Sequence, residues 1–262
     1  MKFCSLASGS TGNSYFVGDA DGGLLVDCGL SARAIEKQLA DGIGMTPEAL
    51  GGILVTHEHI DHIKGVGVLA RRYHLPVYAT QGTWDAMLDK IGPVSSEQQF
   101  ILPEKTDALS IGRFDVEWFP TAHDASEPVA YVIHQNAQKI SIATDTGVLK
   151  PAMLGKLYDS DIIVMEANHD ETMLRGGRYP LYLKRRILGE LGHLSNHACG
   201  EGLHEIIGAH TQHVVLAHLS QENNLPALAH QTVKDILLQG KLTGRLRLWV
   251  AKALEQSITL DI

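Results

Sequence analysis

The apolar run Ile53-Leu54-Val55-Thr56 stops and is followed at once by His57-Glu58-His59-Ile60-Asp61-His62. On an extended segment residues two apart point to the same side, so His57 and His59 can converge on one ion. Asp61 and His62 fall where the chain turns into a helix expected from Ile63 onward, and that change of direction lets them reach a second ion. One segment can therefore seed two metal sites. The alternative is a polar loop carrying surface histidines.

The segment cannot complete two coordination spheres, so further ligands must come from other strand ends. His123 follows the strand expected at 114–120, Asp145 follows 140–144, and His218 follows 213–217. Each is an ionisable residue where an apolar run stops, as a site along one rim of the sheets requires. Taken singly, each also fits a capping or surface role, and Asp27, after Leu24-Leu25-Val26, also fits a turn. The chain holds 14 histidines, an excess that points to imidazole ligands.

Other chemistries fail on spacing. A zincin needs H-E-x-x-H, but Asp61 stands four residues after His57. No serine sits in G-x-S-x-G, and the loop Ser8-Gly9-Ser10-Thr11-Gly12-Asn13 lacks the lysine of a P-loop. Cys4, Cys28 and Cys199 have no C-x-x-C spacing and read as buried free thiols rather than as disulfides or a thiolate zinc site. No long apolar run or secretion signal is evident, which places the protein in the cytoplasm without a membrane partner. With 22 Lys+Arg against 30 Asp+Glu and a net charge of −8, the surface as a whole is not built for nucleic acid. A local basic patch is possible at Arg175, Arg178, Lys184, Arg185 and Arg186, with a solvated helix face as the alternative.

No linker, repeat or low-complexity tract divides the 262 residues, so one domain spanning 1–262 is expected. Periodicity predicts strands at 2–7, 14–17, 24–27, 53–56 and 77–79, with helices at 32–40, 63–73 and 83–91. Strands follow at 114–120, 129–134, 140–144 and 162–166, and their short connections imply a second, largely antiparallel sheet. Helices at 180–190, 196–208 and 225–239 and strands at 213–217 and 246–250 complete an α/β inventory of two sheets with helices outside.

The H-x-H-x-D-H string, the isolated His123, Thr144-Asp145-Thr146 and Ala217-His218-Leu219-Ser220 resemble the metallo-β-lactamase superfamily. That resemblance implies a four-layered αββα sandwich. It places His57, His59 and His123 on one metal and Asp61, His62 and His218 on the other, with Asp145 bridging and Asp27 orienting the metal loop. Two divalent transition-metal ions per chain are implied, and ligands without cysteine leave zinc, manganese and iron equally suited.

The scaffold alone does not name a substrate. Gly192-His193-Leu194-Ser195-Asn196 resembles the histidine-serine/threonine motif of nuclease branches, and it also reads as a helix cap. The opening Ser8 to Asn13 loop, Glu166-Ala167-Asn168-His169-Asp170, Arg178-Tyr179-Pro180 and His218 to Asn224 resemble the YycJ-like (WalJ) branch. The resemblance implies a bacterial nuclease, trimming DNA from a 5′ end, without an inserted β-CASP domain, for which the interval from Asp145 to His193 is too short. Asp61 would orient a metal-bridging hydroxide and His193 would protonate the leaving 3′ oxygen. Asn168, Arg175, Arg178, Ser195 and Asn196 would contact substrate, while His169 also fits a cap of residues 170–176. The competing enzyme reading is a thioester or lactone hydrolase similar to glyoxalase II relatives, which needs neither His193 nor the basic cluster. A di-iron oxygen reductase would expect a carboxylate in place of His59.

Overall fold

The computed structural model describes residues 1–103, 108–240, 244–253 and 256–262. Its strands are β1 Lys2–Ala7, β2 Ser14–Asp19, β3 Gly22–Val26, β4 Leu50–Leu54, β5 Val77–Ala79, β6 Gln99–Ile101, β7 Ala108–Ile111, β8 Phe114–Pro120, β9 Val129–Gln135, β10 Gln138–Ala143, β11 Ile162–Glu166, β12 His213–Ala217, β13 Arg247–Val250 and β14 Ile258–Asp261. The helices are α1 Ala32–Ile43, α2 Ile60–Ile63, α3 Val66–Tyr73, α4 Gln81–Ile91, α5 Pro151–Leu157, α6 Glu171–Gly176, α7 Leu181–Ile187, α8 Asn196–Ile206 and α9 Pro226–Leu237.

The apolar runs of the inner strands are nearly unbroken because both faces of each sheet are covered there. Alternate residues leave opposite faces of a strand. Phe3, Tyr15, Val17, Leu24, Val26 and Leu54 thus point between the sheets, where they meet Tyr131, Ile133, Ile140, Ile142, Ile162 and Val164. Their neighbours Cys4, Phe16, Leu25, Ile53 and Val55 face outward onto Ile35, Leu39, Leu69, Trp84 and Met87 of α1, α3 and α4. On the far side Ile163, Met165, Val214 and Leu216 pack on Leu157, Cys199, Leu203, Val233 and Leu237 of α5, α8 and α9. The layers are α, β, β and α, the expected sandwich. All three cysteines are buried and free.

The first sheet runs β14-β1-β2-β3-β4-β5-β6 and the second β13-β12-β11-β10-β9-β8-β7. Each is antiparallel in one half and parallel in the other. This corrects the largely antiparallel second sheet: β10 to β13 pair in parallel, because α5, the α6 to α8 segment and α9 supply crossovers that return the chain to the same edge. Strand parity then places the site. The C-terminal ends of β3 and β4 share one rim, and so do those of β10, β11 and β12. Since β8 is antiparallel to β9 and β9 to β10, β8 also ends on that rim.

A second correction concerns the helix at 63–73. It is two pieces, α2 and α3, and it begins at Ile60, so Asp61 and His62 are already helical. The break is at Gly65, whose N–H donates to Cys28 O at 2.7 Å. A Cβ there would lie 2.5 Å from Leu30 O, so only glycine admits this approach. The elements β6, β7, β14 and α5 have no counterpart among the segments expected from sequence, and α6 matches the capped stretch at 170–176. No inserted domain separates β10 from β11, where only α5 intervenes. Among the described residues no helix is long and apolar enough to cross a membrane.

Candidate metal centre

Three strand ends on the rim turn through the left-handed region without glycine: Asp27 (φ 59°), Asp145 (φ 58°) and His218 (φ 53°). Such turns cost energy for residues with a side chain and persist where the surroundings hold them. Asp27 is held by its N–H to Leu54 O at 2.8 Å, and His218 by its N–H to Ser8 Oγ at 2.7 Å. The metal loop is clamped from beneath by Gly29, where a Cβ would fall 1.7 Å from Asp61 O.

Four histidines have Nδ1 committed outward. Thr56 Oγ1 donates to Asp27 Oδ2 at 2.8 Å and lies 3.0 Å from His57 Nδ1. Asp27 Oδ2 also accepts from His62 Nδ1 at 2.7 Å, while Oδ1 accepts from Thr56 N. His123 Nδ1 lies 3.2 Å from Gly192 O, and His218 Nδ1 lies 2.8 Å from Glu166 Oε1. A proton on each Nδ1 leaves a lone pair on Nε2, the tautomer a metal ligand needs. His59 instead brings Nδ1 to within 3.3 Å of His123 Nε2.

The inward atoms form overlapping groups able to hold ions: His57, His59 and His123; Asp61, His62 and His218; and His57, His62 and Asp145. Asp145 lies between them, with Oδ2 3.3 Å from His62 Nε2 and Oδ1 3.2 Å from His218 Nδ1 and 3.7 Å from His123 Nε2. The Nε2 atoms of His57 and His218 and Oδ2 of Asp145 are buried without a hydrogen bond. Orphaned buried donors and acceptors are costly unless something binds them. Borderline imidazole nitrogens with hard carboxylate oxygens suit zinc, manganese or iron, so the residues fit divalent transition-metal ions. Asn13 Nδ2, 3.0 Å from His62 Nε2 and 3.4 Å from Asp61 Oδ2, borders this group and was not foreseen from sequence.

Electrostatics point the same way. Burial, reinforced by the neighbouring imidazoles, pushes His57 well below the ordinary histidine value. Burial would push His62 down too, but Asp145 and Asp27 outweigh it and raise its pKa to about 9. Burial would raise Asp61, yet the His218 imidazole, with Nε2 3.7 Å from Oδ2, and the charge of His62 hold it below the carboxylate range. Protons on histidines balance the buried carboxylates here, and metal binding would displace them.

Beside this cluster stands Glu166, fully buried at the end of β11. Its Oε1 accepts from His193 Nδ1 at 2.7 Å as well as from His218, and Oε2 accepts from the Thr146 and Leu194 N–H groups, each at 3.1 Å. Sequence reasoning gave Glu166 no role, although an acid closing an apolar strand was the same signal that singled out Asp27 and Asp145. Burial lowers the pKa of His193, but Glu166 outweighs it and holds the imidazole above its ordinary value. The His193 side chain is 15% exposed and also lies 3.7 Å from Asp145 Oδ1.

Several residues expected to face substrate are placed elsewhere. Asn168, Ser195 and Asn196 are buried. Asn168 Nδ2 donates to His218 O, Ser195 caps α8 by accepting from Ala198 N, and the Asn196 amide exchanges hydrogen bonds with Asn224 at 2.9 and 2.8 Å. They hold the loops that carry His193 and His218. His169 pairs with Ser195 as a lone parallel bridge, and Asp170, not His169, caps α6. Arg175 bonds Glu171 at 2.9 Å, and Arg186 pairs with Asp124 beside His123. Lys184 Nζ donates to Arg175 O, whereas Arg178 and Arg185 meet no carboxylate among the described residues.

The sequence profile of the beta-lactamase superfamily domain matches residues 23–237. Exodeoxyribonuclease YycJ of Bacillus anthracis is 46% identical over 237 residues, covering 90% of this chain and 89% of that protein. Exodeoxyribonuclease WalJ of Streptococcus pneumoniae serotype 2 (strain D39 / NCTC 7466) is 43% identical over 244 residues, covering 92% and 90%. The crystal structure of the metallo-beta-lactamase fold protein YhfI from Bacillus subtilis matches the whole of both chains with a TM-score of 0.73 at 16% identity, a likeness of fold alone. Profile, relatives and architecture agree, and the chain belongs to the metallo-β-lactamase superfamily of hydrolases.

Proposed function

We propose that this chain is a metal-dependent exonuclease acting on DNA from a 5′ end, working as one domain in the cytoplasm. The observation that carries the reading is a rim imidazole, His193, fixed through Nδ1 by the buried Glu166 beside the ligand cluster. An alkoxide leaving a nucleic acid needs a proton, whereas a small thioester hydrolase has no use for such a group. The names of the two relatives support the same reading, and three buried free thiols suit a reducing compartment.

His57, His59 and His123 would hold one divalent ion and Asp61, His62 and His218 a second, with Asp145 contributing to both. Two such ions, when bound, make hydroxide available near neutral pH and neutralise charge on the phosphoryl oxygens. Asp61, 21% exposed, orients the attacking water. As the new O–P bond forms and the bond from phosphorus to the 3′ oxygen breaks, His193 gives its Nε2 proton to that oxygen. The products are a 3′ hydroxyl and a 5′ phosphate. Arg178 and Arg185, which meet no carboxylate among the described residues, supply positive charge along the approach of the strand.

DNA labelled separately at the 5′ and 3′ ends, incubated with the metal-loaded protein, tests the proposal beside RNA, a thioester and a lactam. Early release of the 5′ label as mononucleotide is expected. Turnover of the thioester with intact DNA would overturn the reading, and early release of the 3′ label would reverse the polarity.

A further inference from the structure

On the His62 and His218 side of the ligand cluster lies a cavity of about 490 Å³, formed where the ends of β12 and β13 meet the loop after β1. Its walls are mainly aliphatic, from Leu219, Leu225, Pro226 and Val250, and Ser220 and Gln221 place polar groups on its lining. The cavity adjoins the backbone that carries His218. Ser8, which lines the cavity, accepts from His218 N at 2.7 Å and bonds the Tyr15 hydroxyl at 2.8 Å, and Leu219 directly follows His218.

The walls are fixed in place. Ser8 N–H donates to Lys252 O, Ala251 N–H to Leu216 O, and Leu225 N–H to the buried Asn224 side chain, which itself reaches Ala167 O and Asn168 O. Leu225 stands at 56% exposure, an apolar side chain that the fold itself leaves largely uncovered.

A pre-formed apolar cavity of this size with a few polar groups suits a small flat ring system with polar edges. Resting on the reading of the chain as a DNA exonuclease, we propose that this cavity is a nucleobase subsite, taking one unpaired base of the strand whose phosphodiester lies at the ligand cluster. The base packs its faces against Leu219, Leu225 and Pro226 and turns an edge to Ser220 and Gln221. Aliphatic walls hold any of the four bases, so selection is for an unpaired base and not for a sequence. A base inside a duplex cannot enter without leaving its stack, so a frayed or single-stranded end is the preferred substrate at that position.

The test is an abasic scan with the metal-loaded wild-type protein, using single-stranded oligonucleotides that each lack one base at successive positions from the cut end. Loss of a base buried against aliphatic walls should lower kcat/KM by roughly 10-fold at one position near the scissile bond. The exposed Leu225→Asp variant should lose activity on the complete strand with metal content unchanged. It should show no further loss when the base at that position is already missing. A flat scan on an enzyme that cuts DNA would overturn the subsite while sparing the exonuclease reading, as would losses that simply multiply. Absence of any DNA cleavage would sink the exonuclease reading and the subsite with it.

Discussion

Glu166→Gln removes a charge while keeping the shape, and its effect can be worked from the four hydrogen bonds the carboxylate accepts. Two reach Oε1 from His193 and His218, and two reach Oε2 from backbone N–H groups. An amide has one oxygen, so one pair of donors must face its NH2. If the oxygen stays with the histidines, two buried N–H groups lose their acceptor, at about 1–3 kcal/mol each, a destabilisation of about 2–6 kcal/mol in all. If it turns to the backbone, both Nδ1 atoms must give up their protons. His218 then carries a proton on Nε2, where a metal ligand needs a lone pair. Affinity for metal should fall ~10–100-fold by the usual effect of removing a ligand's hydrogen-bond partner.

In either orientation the negative charge that holds His193 above its ordinary pKa is gone, while burial, which acts in the opposite direction, remains. The pKa of His193 therefore falls. A general acid works only while protonated, so the alkaline limb of the rate on DNA should move to lower pH. At saturating metal and alkaline pH the loss on DNA should approach, without exceeding, the ~10²–10⁴-fold worth of general-acid catalysis. A p-nitrophenyl phosphodiester, whose leaving phenolate needs no proton, should lose little. Steady-state pH profiles on both substrates, at metal loading checked by elemental analysis, make the measurement. Equal losses on the two substrates, or an unmoved alkaline limb on DNA, would refute the role given to the Glu166–His193 pair.

Purified protein saturated with zinc or manganese should hold close to two ions per chain by elemental analysis, and a plateau at one would contradict the shared position of Asp145. Asp61→Ala should abolish turnover while leaving the circular dichroism spectrum unchanged, since that side chain is partly exposed and lies outside the hydrophobic cores; near-normal turnover with full metal would remove its proposed role. Neutralising Arg178 and Arg185 together should weaken oligonucleotide binding and flatten its salt dependence, because fewer counterions are released, and an unchanged slope would assign both to a solvated face. Glu166 has a depressed folded pKa, so its stabilising contribution is present above the unfolded carboxylate pKa of about 4.3 and is lost as pH falls through the folded value. The difference in melting temperature between metal-free wild type and Glu166→Gln should accordingly shrink on acidification, and a gap that widens would show that the carboxylate is not held ionised.

The sequence by itself determined where strands stop and which chemical groups stand at the stops. Strands β1, β5, β11 and β12 fall at the residues read from apolar runs, because burial on both faces writes a nearly unbroken apolar signal into adjacent positions. Strand β8 falls at its expected residues through the alternation of buried Phe114, Val116 and Trp118 with exposed Asp115 and half-buried Glu117. The seven candidate ligands were legible for the same local reason, each an ionisable residue at the end of such a run or in the His57 to His62 string. Only the tertiary structure decided what depends on partners far apart in the chain. Gly65 divides α2 from α3 because Cys28 and Leu30 pass beneath it. Asn196 turns inward because Asn224 waits there, and Glu166 becomes the support of His193 and His218 because parallel pairing brings β11 beside β12. A side chain's type and local pattern are properties of its neighbours in sequence. Its hydrogen-bond partner, its tautomer and its pKa are set by groups that meet only when the sheets close, and those contacts leave no periodic trace in the chain.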